Sequence, residues 1–288
     1  MLNRFHSVVI EVEDFGAAIE HYAVLLGCPP TGLGAFAASG PRCAFFKLAN
    51  MNLEICAAPS GVDSGAASSE GLRAIRLAIE PDATEDVDAV RMAVSWLAKR
   101  GVGTLGTVHE IIEAADGAKL RQWHRVSIEA ASSRGLGIEI VAEAQTRDAS
   151  AVGSGDASSA VIRDLDHVVV FSGDAEATRA FYQDGLDLRL ALDKSFEDRQ
   201  VRLLFFRLGG VTIEIGSRLG AEVKPGSEDR FGGLAWEVVD ADAIRERLLG
   251  EGFDVGEVRT GNKPGTRVCT VRSPVHGVPT LLIQPVSR

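Results

Sequence analysis

The chain contains an internal repeat. Residues 44–55, AFFKLANMNLEI, return as LFFRLGGVTIEI at residues 204–215, and both stretches end in a Glu-Ile pair. Upstream of each stretch, an apolar run begins with a histidine, His6 in the first copy and His167 in the second. Because duplicated sequence folds into duplicated structure, the repeat predicts an architecture of similar units, each with a His and a Glu on apolar strands.

Hydrophobic periodicity divides each copy into two smaller modules of the order βαβββ. In the first module, apolar side chains at helical spacing predict a helix from Phe15 to Leu26, which Gly27 ends. The same order of a strand, a helix and further strands is predicted three more times along the chain. The four predicted modules are residues 1–58, 71–143, 161–217 and 231–288.

A stretch of small and polar residues separates the two copies. Residues 144–160 contain no aromatic side chain and almost no large apolar one, so they cannot bury enough surface to order themselves. They are predicted to link two domains, residues 1–143 and 161–288, each built from two modules. Modules that are neighbours in sequence would then pair, although pairing of the second module with the third is also open.

Composition narrows the class of protein. The 288 residues carry a net charge of −10, which argues against a nucleic-acid or anionic-membrane partner. No apolar stretch approaches the roughly 20 residues of a membrane helix, and no signal segment opens the chain, so a cytoplasmic protein is expected. The four cysteines form no CxxC pair and are expected to be reduced. A monomer and a homodimer are equally compatible with this composition.

Three short motifs point to a known family. They are LDHVV at residues 165–169, FY followed by GL between residues 181 and 186, and Gly-x-x-x-Glu from Gly135 to Glu139. Together with the repeat, these motifs resemble the vicinal oxygen chelate superfamily, which includes glyoxalase I, extradiol dioxygenases, methylmalonyl-CoA epimerase and bleomycin resistance proteins. The resemblance implies an α+β, glyoxalase-like fold in which four βαβββ modules pair into two eight-stranded curved sheets, each with a cavity for a small-molecule substrate.

In that superfamily, metal ligands stand on the first and last strands of the paired modules. The resemblance places the first-strand positions at His6, Ala74, His167 and Gly233, and the last-strand positions at Glu54, Glu139, Glu214 and Leu281. It therefore implies one divalent metal, zinc, manganese, nickel or iron, held by His6, Glu54 and Glu139. His167 and Glu214 form a second, poorer set, and the set Glu139, His167 and Glu214 applies if the middle modules pair.

The expected function follows from this ligand set. A ring-cleaving extradiol dioxygenase needs a second histidine, which Ala74 and Gly233 cannot supply. The His-Glu-Glu set suits an isomerase, epimerase or lyase, in which the metal polarises a carbonyl group and Glu54 or Glu139 is the catalytic base. The substrate would be a small oxygenated acid or carbonyl compound. A metal-free small-molecule binding or resistance protein is the alternative, and an extradiol dioxygenase ranks third.

Candidate substrate-binding residues lie on one predicted strand and in one basic loop. A glycine-punctuated segment with Lys263 and Arg267 could receive a carboxylate or phosphate group, although a solvated hairpin has the same pattern. Trp123 and His124 lie on a predicted strand of the second module and could line a pocket. Core packing explains a tryptophan on a strand equally well.

Overall fold

A computed structural model gives the fold of most of the chain. It describes residues 1–36, 40–58, 70–79, 86–143, 160–224 and 226–285. The predicted linker at 144–160 lies outside the described residues, apart from Ala160. Residues 1–143 are called the first half below, and residues 160–285 are called the second half.

The first half is a closed β-barrel. Its elements in chain order are β1 (Leu2–Val12), α1 (Phe15–Leu26), β2 (Gly32–Phe36), β3 (Arg42–Lys47), β4 (Asn52–Ala57), β5 (Gly71–Ile79), α2 (Asp86–Ala98), β6 (Val108–Glu113), β7 (Lys119–Ser127), α3 (Ala130–Ser133) and β8 (Ile138–Glu143). The described strands close in the order β1-β4-β3-β2-β6-β7-β8-β5. Because β1 lies against β5, the first strands of the two modules are side by side.

The second half repeats this topology in an open sheet. Its elements are β9 (Ile162–Ser172), α4 (Ala175–Ala180) with a π-helical turn (Phe181–Gly185), β10 (Arg189–Phe196), β11 (Val201–Leu208), β12 (Val211–Arg218), β13 (Arg230–Val238), α5 (Ala241–Gly250), β14 (Asp254–Val255), β15 (Arg259–Thr260), β16 (Arg267–Ser273) and β17 (Thr280–Gln284). The strand order is β10-β11-β12-β9-β13-β17-β16-β14, and β15 pairs with β16. Since β10 and β14 do not meet, this sheet has two free ends.

The predicted α+β architecture of four modules in two sheets is confirmed, and modules that are neighbours in sequence share a sheet. Two details differ from the expectation of two eight-stranded curved sheets. The first sheet closes completely, and the second contains a ninth strand within the described residues, the short β15. The alternative in which the second module pairs with the third is wrong.

Local signals set the ends of α1, which has the predicted bounds. The side chain of Asp14 accepts a hydrogen bond from the backbone N–H of Ala17 at 3.0 Å, so one of the unpaired N–H groups of the first turn is satisfied. Gly27 ends the helix with φ at 77°, a left-handed conformation that glycine adopts without steric cost.

One apolar core runs through both halves. Side chains from the first half, such as Tyr22 and Leu25, belong to the same buried cluster as Leu165 from the second half. The side chain of Asn50 also binds the backbone of Leu165 twice, donating to its carbonyl oxygen at 2.8 Å and accepting from its N–H at 3.0 Å. The two halves therefore form a continuous packed structure along this seam.

Two cysteines depart from the sequence expectation. Cys43 of β3 and Cys56 of β4 lie opposite each other in the ladder and are joined as a disulfide, so the expectation of four reduced cysteines is wrong for this pair. Cross-strand register brings them together, which residue spacing alone does not reveal. Cys28 and Cys269 are free thiols. Among the described helices, none is long and apolar enough to cross a lipid bilayer.

The seam also contains a pair of imidazole rings. Nδ1 of His21 lies 2.9 Å from Nε2 of His276, and Nδ1 of His276 lies 2.9 Å from a carboxylate oxygen of Glu70. A proton on Nδ1 of His276 satisfies Glu70 and leaves Nε2 as the acceptor for His21. Burial and the neighbouring His276 lower the pKa of His21 below its ordinary value. These contacts therefore favour the uncharged form of the His21 side chain.

Stability should consequently fall on acidification. The unfolded chain takes up a proton at His21 near pH 6.5, whereas the folded protein takes it up only at lower pH, so the free energy of unfolding decreases as pH falls below about 6.5. We expect His21→Gln to make this decrease shallower between pH 7 and 5.5. Urea unfolding at several pH values measures the slope, and an unchanged slope in the variant would contradict the assignment.

Candidate functional site

The interior of the first-half barrel is filled by an ion-pair network centred on Arg76 of β5. This side chain is almost completely buried, at 4% exposure. Its guanidinium group contacts Glu54 of β4 through NH1 and donates from Nε to Glu139 of β8 at 2.7 Å. A third carboxylate, Glu110 of β6, lies 3.8 Å from NH2. One cation thus holds carboxylates from three other strands.

Two further arginines extend the network. Arg125 contacts Glu110 at 2.7 Å and Glu139 at 3.0 Å. Arg121 contacts Glu143 at 2.7 Å, and the other carboxylate oxygen of Glu143 lies 3.0 Å from Nε2 of His6. The predicted metal ligand His6 is therefore already bound to a carboxylate.

The protonation states follow from these contacts. Burial alone would raise the pKa of Glu54, but the charges of Arg76 and His6 outweigh it, so the pKa lies below its ordinary value. Burial opposes the charge of Arg76 too, yet Glu54, Glu139 and Glu110 raise its pKa. Contacts with His6 and Arg121 overcome burial at Glu143 and lower its pKa to about 2. Glu54, Glu143 and Arg76 are therefore ionised near neutral pH.

The strand ladders correct the predicted alignment of the two histidines. When Glu54 and Glu214 are taken as equivalent, the residue at the position of His167 is Ser7, because both lie two residues before the partner of the glutamate. His6 is the extra residue of a β-bulge in β1, and Asp166 holds the same place in a bulge of β9. The sequence contained a signal for this shift, since the glutamates are 160 residues apart (54 to 214) and the histidines 161 (6 to 167).

The predicted metal set in the first half does not fit a divalent ion. Its three members lie inside the same barrel, but Arg76 binds both Glu54 and Glu139, and Glu143 binds His6. Within the described residues, no group of three or more His, Cys, Asp or Glu side chains is arranged to hold a metal. The residue that sequence reasoning missed is Arg76, which lies two positions after Ala74.

In the second half, the predicted pair His167 and Glu214 lies on the side of the sheet opposite the helices, called the open face below. Nε2 of His167 lies 3.6 Å from Oε2 of Glu214, with 13% and 21% of the side chains exposed. Nδ1 of His167 lies 2.6 Å from the carboxylate of Asp166. The other two family positions, Gly233 and Leu281, offer no ligand, so this pair does not complete a three-ligand metal site either.

The open face combines charged and apolar groups. Phe205 lies opposite Glu214 in the ladder, which places Arg207, two residues further along β11, on the same face. The charges of Arg207 and Lys263 act on the neighbouring Asp166. Phe171 is 42% exposed on this face. The structure therefore presents an acid–base pair beside cations and an exposed aromatic ring.

The pKa values on this face differ from one carboxyl group to the next. Burial raises the pKa of Glu214, and Asp166 adds to the increase while His167 opposes it. At Asp166, burial is outweighed by the hydrogen bond and charge of His167 and by Arg207 and Lys263, so its pKa is lowered. Of these two carboxyl groups, Glu214 is therefore the one whose pKa is moved toward neutral pH.

The predicted substrate-binding residues lie in different places. Trp123 is 1% exposed inside the first-half barrel, with its ring 5.2 Å from the guanidinium carbon of Arg76. His124 stacks on His109 with ring centres 4.4 Å apart. Arg267 is exposed and pairs with Asp242 of α5. Of these four predicted residues, Lys263 is the one whose charge acts on Asp166 at the open face.

Comparison with known proteins agrees with this architecture. Residues 166–270 match the family model of the Glyoxalase/Bleomycin resistance protein/Dioxygenase superfamily. The matched residues lie in the second half, so this half is similar to proteins of that superfamily. A triple mutant of 4-hydroxymandelate synthase from Streptomyces coelicolor has a similar fold over the whole chain, with 15% sequence identity, coverage of 100% of this chain and 94% of that chain, and a TM-score of 0.64.

Two methylmalonyl-CoA epimerase structures match part of the chain. Methylmalonyl-CoA epimerase from Mycobacterium tuberculosis is 22% identical, with coverage of 44% of this chain and 90% of that chain and a TM-score of 0.37. The Streptomyces coelicolor methylmalonyl-CoA epimerase in complex with 2-nitronate-propionyl-CoA is also 22% identical, with coverage of 44% and 99% and a TM-score of 0.37. No curated protein sequence matches the chain. At these identities, the likeness concerns the fold alone.

The ligand inventory leads to a prediction about metal content. Protein purified without chelator should contain no stoichiometric zinc, manganese, nickel or iron, because Arg76 and Glu143 already hold the predicted ligands. Glu139→Ala should leave the metal content unchanged, as measured by inductively coupled plasma mass spectrometry. One bound ion per chain that disappears in Glu139→Ala would contradict this prediction. An ion that disappears only in His167→Ala would show that the open face binds a metal with more ligands than His167 and Glu214.

Proposed function

We propose that the open face of the second half is the active site of an isomerase, epimerase or lyase that acts on a small oxygenated acid or carbonyl compound. The observation that carries the proposal is the raised pKa of Glu214 on a face that the helices leave uncovered, beside His167. A carboxyl group with a raised pKa is suited to take up and return a proton near neutral pH. This placement moves the catalytic base from Glu54 or Glu139 to Glu214.

The reaction uses side chains of the chain itself. The carboxylate of Glu214 removes a proton from the carbon next to a carbonyl group, and the electrons of that C–H bond move to the carbonyl oxygen. A carboxylate or enolate oxygen of the substrate pairs with Arg207 or Lys263, which lie close enough to act on Asp166. Return of the proton to the other face of the carbon gives epimerisation, and its return to a different atom gives isomerisation.

His167 is proposed as the partner of the base. With its proton on Nδ1, His167 donates to Asp166 at 2.6 Å, and this contact fixes the ring. Nε2 then faces Glu214 at 3.6 Å and can accept the proton that Glu214 has removed. Asp166 acts through His167 and is therefore a positioning residue.

A metal-free binding or resistance protein is the second candidate. It is favoured by the exposed ring of Phe171, whose centre lies 4.6 Å from the guanidinium carbon of Arg230. A flat aromatic surface backed by a cation can hold a planar ligand without chemistry. The two candidates share the open face and differ in whether Glu214 exchanges protons with the ligand.

Solvent deuterium exchange tests the enzyme proposal. We expect the wild-type protein in D2O to incorporate deuterium next to the carbonyl group of at least one member of a panel of small 2-substituted oxo acids and thioesters. Glu214→Gln, which cannot accept the proton, should lower the exchange rate by at least about 100-fold. Glu54→Gln is the matched control, since Glu54 holds the equivalent position in the first half, and its folded protein should retain exchange.

The outcomes separate the two candidates. Exchange that persists in Glu214→Gln would exclude this residue as the base. If wild-type protein binds a panel compound by calorimetry, with no exchange in any compound and with binding lost in Phe171→Ala, the binding-protein candidate is the correct one.

The acid limb of the pH profile should respond to the two neighbours of Glu214. The base must be ionised, so the exchange rate rises with pH through the pKa of Glu214. Asp166→Asn removes a negative charge that raises this pKa, and the limb should shift to lower pH; His167→Gln removes a group that lowers it, and the limb should shift to higher pH. Rates measured from pH 4 to 8 give both shifts, and shifts in the same direction would contradict the assignment.

A further inference from the structure

We propose that the guanidinium group of Arg76 is a built-in cation that replaces a metal ion in the first half, and that it conceals a latent divalent-metal site formed by Glu54, Glu139 and Glu110. The inference concerns the first half and does not depend on the chemistry of the open face. It rests on the position of Arg76 in the repeat, on its contacts and on the charge of the barrel interior.

The position of Arg76 is special among the four modules. In each module, one residue of the first strand lies opposite the family position on the last strand. These facing pairs are Val9 and Glu54, Arg76 and Glu139, Val169 and Glu214, and Ala235 and Leu281. Three of the four first-strand residues are small and apolar, and module two alone places a long cation there. This cation extends into the space between the two glutamates of its own barrel.

The contacts of Arg76 resemble those of a bound ion. Its planar group uses separate nitrogen atoms for Glu54 and Glu139, so one charge pairs with both carboxylates at fixed geometry. Glu110 completes the acidic surroundings at 3.8 Å. The ring of Trp123 covers the guanidinium group, with 5.2 Å between the guanidinium carbon and the ring centre.

The charge of the interior explains why a cation must be present. Glu54 is fully buried and carries the lowered pKa of an ionised carboxylate. Buried carboxylates without a partner are strongly unfavourable, so loss of Arg76 would remove the cation that contacts Glu54, while Glu139 would keep its ion pair with Arg125. A hard divalent ion with oxygen ligands, such as Mn²⁺, is the natural substitute for the missing charge.

The second half shows the consequence of a small residue at this position. There, Val169 and Ala235 do not reach between His167 and Glu214, and both functional side chains remain partly exposed. The residue at one position therefore accounts for a filled interior in the first half and an accessible pair in the second.

Replacement of Arg76 by Ala provides the test. In metal-free buffer, Arg76→Ala should unfold at a lower temperature than the wild type. Addition of Mn²⁺ at about 100 times its dissociation constant should raise the melting temperature of the variant by about 5 °C and leave the wild type unchanged. Electron paramagnetic resonance of Mn²⁺ should show one bound ion per chain in Arg76→Ala and none in the wild type.

Two control variants make the result specific. Arg125→Ala also removes a cation from the network but leaves Arg76 between Glu54 and Glu139, so its stability should not respond to Mn²⁺. The double variant Arg76→Ala with Glu139→Ala should lose the bound ion. If Arg76→Ala does not fold, Arg76→His, which adds a ligand and fills more of the space, takes its place in the same measurements.

The proposal is overturned if folded Arg76→Ala or Arg76→His gains no bound Mn²⁺, or if the wild type binds the ion equally well. Neither result bears on Glu214, because deuterium exchange at the open face is measured on protein with Arg76 intact. Failure of this inference and failure of the proposed function are therefore distinguishable.

Discussion

The first half depends on one buried interaction, the contact of Arg76 with Glu54 and Glu139. Its carboxylates come from strands of two different modules, and their charges are compatible with burial only when a cation lies between them. Removal of one partner from such a pair typically costs about 3–5 kcal/mol, which is a large part of the stability of an ordinary domain. The interior of this barrel is thus held together by charge as well as by apolar packing.

The same fold is used differently in the two halves. In the first, the sheet closes and its interior is occupied by arginine and glutamate side chains. In the second, the sheet stays open at β10 and β14, and His167 and Glu214 face a surface that a ligand can reach. The halves are also joined by hydrogen bonds, because Asn50 of the first half binds the backbone N–H and C=O of Leu165, two residues before His167. The strand that carries His167 is therefore fixed in place by the half that carries no proposed chemistry.

Much of the fold could be predicted because its signals are local or repeated. Helix α1 has the predicted bounds because apolar spacing, an Asp cap and a terminal glycine act within a few residues of each other. The four modules were visible because the sequence repeats itself. The equivalence of His6 with His167 was wrong because the two copies are offset by 160 residues at the glutamates, so His6 corresponds to Asp166 and Ser7 to His167. A shift of one residue changes which side chain faces the interior. The disulfide of Cys43 and Cys56 escaped prediction for a related reason, since it depends on which residues of β3 and β4 face each other.

The sequence by itself determined the modules and their α+β character. Its linker favoured the pairing of neighbouring modules, and its strands identified the glutamates that are candidates for a functional site. The tertiary structure alone decided which of these carboxylates are engaged. Glu54, Arg76 and Glu139 are separated by dozens of residues along the chain, and they meet because strand register and barrel closure direct all three side chains to one interior point. Glu214 has a local sequence similar to that of Glu54, but no arginine among the described residues forms an ion pair with it across the second sheet. Whether a buried carboxylate is free to contact a ligand depends on the side chains that surround it, and the folded structure decides which side chains these are.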